Sequence, residues 1–209
     1  MKQDLNIQNI QNIRVHKKDT LEMALELRDA GNNVMVLIFA DAINRAGCVF
    51  AGAGMQEEGL FRRTALFAHL TPDLYPIDEQ DELLYAGAVD VLLRDEDTTT
   101  KMEAGVKLAF VACPGIKFPR LVAGETRFRD DDITVLKRKV HTILQTACDN
   151  GHNAVVLGAL GCGAFGCPVR HTAEIFRECL DTYKGCINEV HFAVLGAAYA
   201  VFQDVMSNL

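Results

Sequence analysis

The sequence lacks any uninterrupted apolar segment long enough to span a bilayer. Residues 1–14 are polar and lack the charged cap and apolar core of a signal peptide. From these two absences we expect no membrane association and a cytoplasmic location. The balance of 49% hydrophobic and 23% charged residues is typical of a soluble globular protein, and 209 residues suit one domain better than two.

Basic residues are outnumbered. The chain has 21 Lys and Arg against 28 Asp and Glu, a formal net charge of −7. Such a surface repels phosphate backbones, so we expect no direct binding of DNA or RNA. The short basic stretches Arg62-Arg63 and Lys137-Arg138-Lys139 fall within helical patterns, which favours solvated helix faces over a nucleic-acid groove.

Paired cysteine spacings are also missing. The nearest approach among the seven cysteines is Cys162 and Cys167, and no second pair accompanies them. We therefore expect no metal, with metal binding as the weaker alternative. We also expect no cofactor. Because a chain of this size needs no disulfide framework, we expect most of the cysteines to be reduced and buried.

What is present is an alternation of solid apolar runs and helical patterns. The predicted strands cover residues 13–16, 34–39, 89–93, 108–113, 154–157 and 190–195. The predicted helices cover residues 19–31, 56–70, 131–150, 169–183 and 199–206. This order predicts an α/β fold with a mixed, mostly parallel sheet and helices on both faces. Residues 1–12 carry no clear period, so we expect the domain to occupy residues 13–209; the acidic segment at 78–82 has no assigned role.

Two glycine-rich loops, residues 40–54 and 158–166, each follow a buried strand and precede a helix. Glycine lets the backbone approach a ligand closely, and a helix N-terminus offers free N–H groups to an anion. Either loop alone could be only a tight turn. Two of them at corresponding strand ends favour a phosphate-binding cleft. Neither loop matches a Walker sequence or a full GxGxxG fingerprint.

Gln56, Glu57 and Glu58 lie just past the first loop, at the predicted start of a helix. Acidic residues in a first turn often only complement the helix dipole. Adjacent helical residues point about 100° apart, however, so one glutamate can face the cleft while the other anchors the turn. A carboxyl group beside a sugar can protonate a departing glycosidic oxygen and then activate water.

These residues resemble a known family. The segment from Asn44 to Glu58, NRAGCVFAGAGMQEE, is similar to the signature of microbial-type poly(ADP-ribose) glycohydrolases, in which a GGG loop precedes QEE. The second loop, LGALGCGAFG, resembles the diphosphate loop of that family. The similarity spans roughly residues 13–195. It implies a single macrodomain-like, three-layer α/β/α fold that binds ADP-ribose and hydrolyses ribose–ribose bonds in poly(ADP-ribose) on modified proteins.

The resemblance also implies roles for individual residues. Glu58 would be the catalytic acid/base and Glu57 would orient the ribose, while Asn44 and Gly47 would lie along the distal ribose and diphosphate. Asp19 would contact the adenine, with a helix cap as its alternative role. The remaining implied ADP-ribose contacts are Gln56, Gly161, Cys162, Gly163, Ala164, Phe165 and Gly166.

The chain departs from the family pattern at Ala46-Gly47-Cys48, which stands in place of GGG. If Cys48 needs a positive φ, strain of about 1 kcal/mol or more follows. This departure favours an alternative, an ADP-ribose reader that has lost efficient catalysis. A scaffold with two degenerate loops is a third reading. A cysteine enzyme built on Cys48 and Cys162 is disfavoured because neither loop contains a histidine to act as base.

Overall fold

A computed structural model of the protein describes residues 12–78, 83–94, 101–123 and 126–207. The segment 1–12, apart from Asn12, lies outside these ranges, as does the acidic segment beyond Asp78. Every helix in these ranges is too short or too polar to span a bilayer.

The described residues form six strands and six helices. The strands are β1 (Asn12–His16), β2 (Val34–Ala40), β3 (Leu84–Asp90), β4 (Lys107–Pro114), β5 (Ala154–Leu157) and β6 (Glu189–Ala193). The helices are α1 (Thr20–Asp29), α2 (Gln56–Arg63), α3 (Leu66–His69), α4 (Asp130–Asp149), α5 (Val169–Leu180) and α6 (Ala198–Ser207). Strands and helices alternate along the chain except that α3 follows α2 and β4 follows β3. Short 3₁₀ turns occur at Val49–Ala51, Pro72–Leu74 and Asp181–Tyr183.

The strands form one sheet in the order β1-β6-β5-β2-β4-β3. All neighbouring pairs are parallel except β3 and β4, which are antiparallel. The prediction of a mixed, mostly parallel sheet is confirmed. Because β1, β6, β5, β2 and β4 run in the same direction, the loops that follow them all open at one edge of the sheet.

Two cores cover the two faces of the sheet, so the three-layer prediction is confirmed. Val34, Val36 and Ile38 pack with α1, α2 and α3 on one face, while Met35 and Leu37 pack with α4, α5 and α6 on the other. Burial on both faces explains why β2 is an unbroken apolar run. Each such fully buried side chain contributes about 1.5–3 kcal/mol of transfer free energy.

The predicted helix over residues 56–70 is interrupted in the structure. Thr64 adopts an extended conformation, with φ −136° and ψ 169°. Its backbone forms an isolated antiparallel bridge with Val91, and its hydroxyl donates to the Leu60 carbonyl at 2.8 Å. A tertiary pairing that local periodicity cannot reveal thus separates α2 from α3.

The predicted strand at residues 89–93 is misplaced, since β3 covers Leu84–Asp90. Pairing with β4 sets its position, and the register shifts between Ala86 and Val89. Ala88, at φ 55°, lies within this bulge. The bulge disrupts the alternation on which the sequence pattern depends.

The expectation about cysteines is wrong for one pair, because Cys148 and Cys186 form a disulfide. The bond joins the end of α4 to the segment before β6, at the edge of the sheet opposite the cleft described below. The other five cysteines are free; Cys113, Cys167 and Cys179 are buried, as expected, whereas Cys48 is exposed and Cys162 is half-buried.

Candidate active site

A cleft of about 680 Å³ lies at the carboxyl edge of the sheet and is lined by both glycine-rich loops. This volume is in the usual range for sites that bind small molecules and cofactors. The predicted site residues that line it are Asp19, Gly47, Gln56, Glu57, Glu58, Gly161, Cys162, Gly163, Ala164 and Phe165. Asn44 and Gly166 do not line it, and instead shape the turns of the two loops.

The first loop is folded by its own polar groups. The Asp41 carboxylate accepts hydrogen bonds from the N–H groups of Ile43 at 2.8 Å and Asn44 at 2.7 Å. The Asn44 carbonyl accepts from the Gly47 N–H at 2.8 Å. These bonds return the chain toward α2 and bring Gly47 against the two glutamates.

Gly47 is required by both its conformation and its surroundings. Its φ is 55°, and a Cβ atom built on it would lie 2.5 Å from Oε1 of Glu58 and 3.2 Å from Oε2 of Glu57. Cys48 has φ −105°, so the strain considered for it is absent. Ala46, with φ 64°, carries that strain instead, at a cost of about 1 kcal/mol.

Gln56 fixes the start of α2 to the sheet. Its side-chain amide donates to the Leu37 carbonyl at 2.7 Å, and its oxygen accepts from the Phe39 N–H at 2.9 Å. The pairing of β2 with β5 extends only to Val36. Gln56 therefore satisfies backbone groups of β2 beyond that pairing, and this anchorage determines where the next two residues point.

Glu57 and Glu58 are both buried, with exposed fractions of 4% and 6%. The Asp41 N–H donates to Oε2 of Glu57 at 2.8 Å, and the Cys48 N–H donates to Oε1 of Glu58 at 3.0 Å. Within the part of the chain that the structure describes, Oε1 of Glu57 and Oε2 of Glu58 have no hydrogen-bond partner. Each carboxyl group is thus held by one oxygen and leaves the other unsatisfied.

The environment of Glu57 favours its protonated form. Burial raises the pKa of Glu57 to about 8, against the opposing effect of the hydrogen bond from Asp41, and the nearby charges of Glu58 and Asp41 add to the increase. Burial also raises the pKa of Tyr75, with a contribution from the charge of Glu57. The Tyr75 hydroxyl is buried without a partner among the described residues. No sequence motif marked Tyr75 as part of this region.

The second loop presents its backbone to the cleft. Gly161 has φ 74°, and a Cβ on it would lie 2.6 Å from Sγ of Cys167. Within the described ranges, the N–H groups of Gly163, Ala164 and Phe165 donate to no protein acceptor. Successive free N–H groups of this kind form a concave site for an anion.

Asp19 is the N-cap of α1, which is the alternative role expected of it, and its contact with an adenine stays a prediction. It caps α1 by accepting from the N–H groups of Leu21 at 2.9 Å and Glu22 at 3.0 Å, and it also lines the cleft. Both of its oxygens accept from the Arg63 guanidinium at 2.9 Å. Burial alone would raise the pKa of Asp19, but the bonds and charge of Arg63 outweigh it and lower the pKa.

Two residues of the basic stretches, Arg63 and Lys139, are buried. The interpretation of these stretches as solvated helix faces is wrong for them. Arg63 is 4% exposed and Lys139 is 2% exposed. Arg63 lies on the inner face of α2, where it reaches Asp19 and also donates to the Gly59 carbonyl at 3.0 Å. A long-range ion pair of this kind leaves no signal in local sequence.

The sheet order, the two layers of helices and the cleft between two glycine-rich loops define a macrodomain-like domain. The family model for the catalytic domain of microbial-type poly(ADP-ribose) glycohydrolase (PARG) matches residues 2–89. No curated protein sequence matches the chain significantly.

Solved structures agree with the family model. PARG from Thermomonospora curvata bound to the inhibitor ADP-HPD is 31% identical, with a TM-score of 0.79, over 92% of this chain and 78% of that one. PARG from Deinococcus radiodurans in complex with ADP-ribose is 25% identical, with a TM-score of 0.81, over 95% of this chain and 84% of that one. The chain belongs to the microbial-type PARG family.

Proposed function

We propose that the protein binds ADP-ribose in the cleft and hydrolyses ribose–ribose O-glycosidic bonds of poly(ADP-ribose), with Glu58 as the general acid and base. The observation that carries the proposal is the Glu58 carboxyl group. One of its oxygens is fixed by the Cys48 N–H at 3.0 Å, and the other is buried, unpaired within the described chain, and part of a residue that lines the cleft.

The order of strands orients the ligand. Asp19 follows β1, the second loop follows β5, and the glutamates follow β2, so the cleft runs from Asp19 past the free N–H groups of Gly163–Phe165 to Glu57 and Glu58. This arrangement suits an adenosine at Asp19, a diphosphate on the second loop and a terminal ribose beside the glutamates. The bound ADP-HPD and ADP-ribose of the two relatives support this class of ligand.

The reaction needs one proton to pass from the enzyme to the leaving oxygen and one to pass from water back to the enzyme. Glu58 gives its proton to the oxygen that leaves C1 of the terminal ribose, and the C1–O bond breaks. Glu58 then takes a proton from a water molecule as the water oxygen bonds to C1. Glu57 keeps its own proton throughout and donates a hydrogen bond from Oε1 to a ribose hydroxyl.

An ADP-ribose reader without efficient catalysis is the second candidate. It is favoured by the side chain of Cys48, which lines the cleft where the family pattern has glycine. Hydrolysis is favoured by the backbone of the same residue, because its φ of −105° is unstrained and its N–H still holds Glu58.

The test compares the wild type with Glu58→Gln and Glu57→Gln, measuring ADP-ribose release from poly(ADP-ribose) and calorimetric binding of ADP-ribose. We expect Glu58→Gln to lose at least about a hundredfold in kcat, as general acid–base catalysis supplies, while its affinity stays within a few-fold. Glu57→Gln imitates the protonated acid and should retain much more activity. Binding without turnover in the wild type would instead identify a reader, and absence of binding would refute both candidates.

Modified proteins as carriers of the polymer, the lack of direct nucleic-acid binding and a cytoplasmic location stay predictions from the sequence.

A further inference from the structure

An ion pair at one end of the cleft joins two partners of very different exposure. The Asp19 side chain is 40% exposed and lines the cleft, whereas the Arg63 side chain is 5% exposed. Nη1 and Nη2 of Arg63 donate to Oδ1 and Oδ2 of Asp19, each at 2.9 Å. A bidentate pair of this kind fixes geometry as well as adding energy. The buried guanidinium therefore sets the plane of a carboxylate that faces the cleft.

Oδ2 is the atom of Asp19 whose position depends most on Arg63. The N–H groups of Leu21 and Glu22 both donate to Oδ1, as part of the α1 cap. Within the described residues, the one hydrogen bond that Oδ2 accepts comes from Arg63. A carboxylate oxygen can accept about two hydrogen bonds, so Oδ2 keeps room for a donor on a ligand.

Arg63 is itself held by neutral acceptors. Nε donates to the Gly59 carbonyl at 3.0 Å, and Nη1 also donates to the Arg94 carbonyl at 3.4 Å. Asp19 is its one ion-pair partner in the described ranges. The guanidinium is thus fixed independently of any ligand, and the planar fork of arginine loses little freedom when it bonds to the carboxylate.

The charge of Arg63 also keeps the Asp19 carboxyl group ionised. Burial alone would raise the pKa of Asp19, and the hydrogen bonds and charge of Arg63 lower it. Two other charged side chains lie close to Asp19 in the chain, Glu22 in the first turn of α1 and Lys18, which pairs with Glu26 at 2.7 Å. Without Arg63 the effect of burial would prevail, and the carboxyl group would take up a proton at a higher pH.

Resting on the proposed function, which places the adenosine of the ligand at Asp19, we propose that Arg63 is a positioning residue for the adenosine end of the cleft. Arg63 directs Oδ2 of Asp19 toward the adenine and keeps it ionised, and it acts on the ligand through Asp19. The affinity for ADP-ribose therefore depends on a buried side chain at the end of the helix that carries Glu57 and Glu58.

Loss of the guanidinium should leave Glu58 in place. α2 is anchored at its start by Gln56, which bonds to β2 through both its amide groups. At the end of α2, the backbone carbonyl of Arg63 accepts from the N–H groups of Leu92 at 2.8 Å and Leu93 at 3.1 Å. Because these bonds do not involve the Arg63 side chain, we expect its loss to raise KM and to affect kcat much less.

The test compares the wild type with Arg63→Met and Arg63→Lys by calorimetric binding of ADP-ribose and by the kinetics of ADP-ribose release from poly(ADP-ribose). We expect the Kd and KM of Arg63→Met to rise at least about tenfold, the equivalent of one hydrogen bond to a charged group. Its kcat should stay within about threefold. Arg63→Lys keeps the charge and loses the bidentate geometry, so its Kd should lie between those of the wild type and Arg63→Met.

A double-variant cycle shows whether Arg63 acts through Asp19. Asparagine is as good an N-cap as aspartate, so Asp19→Asn keeps the cap and removes the charged Oδ2. Its Kd should rise by a factor similar to that of Arg63→Met. Asp19→Asn/Arg63→Met should bind within about twofold of Asp19→Asn, and it leaves no uncompensated charge that would destabilise the fold. Arg177→Met is the control, because its guanidinium bonds the Val205 carbonyl at 3.0 Å and does not line the cleft; its Kd should be unchanged.

The pH dependence of binding separates positioning from a general weakening of the fold. The ratio of the Kd of Arg63→Met to that of the wild type should grow as the pH is lowered from about 8 to about 5. The Asp19 carboxyl group becomes increasingly protonated in the variant, whereas in the wild type Arg63 lowers its pKa. Glu57 and Glu58 lie in the same cleft in both proteins, so their titration cancels in the ratio. In the Asp19→Asn background the ratio should not depend on pH.

Two results would overturn the positioning role of Arg63 and leave the proposed function intact. One is an equal loss of affinity from Arg63→Met in the wild type and in the Asp19→Asn background, and the other is a fall in kcat with an unchanged Kd. If the wild type binds ADP-ribose without hydrolysing the polymer, the Kd values alone decide. A wild type that does not bind ADP-ribose would overturn the proposed function, and the role of Arg63 with it.

Discussion

Gly47 is the residue on which the position of the glutamates depends most directly. Replacing it by alanine places a methyl group within 2.5 Å of Oε1 of Glu58, so the carboxyl group must move. Because a displacement of about 1 Å can cost a hundredfold in rate, we expect Gly47→Ala to reduce kcat by about that factor. The measurement is ADP-ribose release under saturating substrate.

Gly52 provides the matched control for this change. It also has a positive φ, 81°, but a Cβ on it would meet nothing within 4 Å. Both variants should lose about 1 kcal/mol of unfolding free energy through backbone strain, which urea titration measures. Only Gly47→Ala should lose activity, and equal activities for the two variants would contradict the steric argument.

The raised pKa of Glu57 predicts that the free energy of unfolding depends on pH. Its folded pKa, raised by burial to about 8, lies above the ordinary glutamate value of 4.5 that applies to the unfolded chain. Below pH 4.5 both states are protonated and the contribution is complete. Between pH 4.5 and 8 only the unfolded state ionises, so the free energy of unfolding falls with rising pH, by up to about 1.4 kcal/mol per pH unit.

Unfolding of the wild type and Glu57→Gln in urea at several pH values isolates this contribution. Glutamine does not titrate, so the wild type should lose stability relative to the variant as the pH rises from 5 to 8. A constant difference between the two proteins across this range would mean that Glu57 is already ionised in the folded state.

At the scale of elements, the disulfide between Cys148 and Cys186 joins the end of α4 to the segment before β6 across 38 residues. A crosslink of this span stabilises a domain by about 2–4 kcal/mol, mainly by restricting the unfolded chain. The double variant Cys148→Ser/Cys186→Ser should lose that amount in urea unfolding without reductant. Its activity should be unchanged, because the bond lies at the edge of the sheet away from the cleft.

The exposed, free Cys48 supplies the control, since Cys48→Ser should leave the unfolding free energy unchanged. Dithiothreitol should destabilise the wild type and leave the double serine variant unaffected. Equal stability of the wild type with and without reductant would contradict the prediction.

The elements that local pattern predicted well are those whose burial is uniform. β2, β4 and β5 are solid apolar runs, and each lies within one residue of its predicted bounds at either end. The break at Thr64 and the position of β3 depend on pairing with distant segments, Val91 and β4, so periodicity could not reveal them. Pairing across the sheet thus overrides local preference at these two places.

The candidate site likewise contains residues that the sequence could reveal and features that it could not. Glu57 and Glu58 were identifiable because a motif fixes their spacing from Gly47. Tertiary contacts between separate elements produce the burial of Arg63, its ion pair with Asp19 and the burial of the Tyr75 hydroxyl. The positive φ lies at Ala46 and not at Cys48. The path of the loop alone determines which of the two residues adopts it.

The charge of the whole molecule sets its response to salt. The net charge is −7, and the two cationic side chains that line the described cleft are already paired, Lys18 with Glu26 at 2.7 Å and Arg63 with Asp19 at 2.9 Å. Under the proposed function, anionic ADP-ribose would therefore approach a repulsive field and would be held mainly by backbone N–H groups. We expect its association rate to rise when salt is increased from about 10 to about 150 mM, because screening weakens the repulsion.

Stopped-flow binding at the two salt concentrations measures this rate, with calorimetry for the Kd. Short-range N–H bonds to the diphosphate are little affected by salt, so the Kd should stay constant or decrease. A Kd that instead increases tenfold over this range would indicate that unpaired cations supply the affinity, and the diphosphate would then have to be placed away from the second glycine-rich loop.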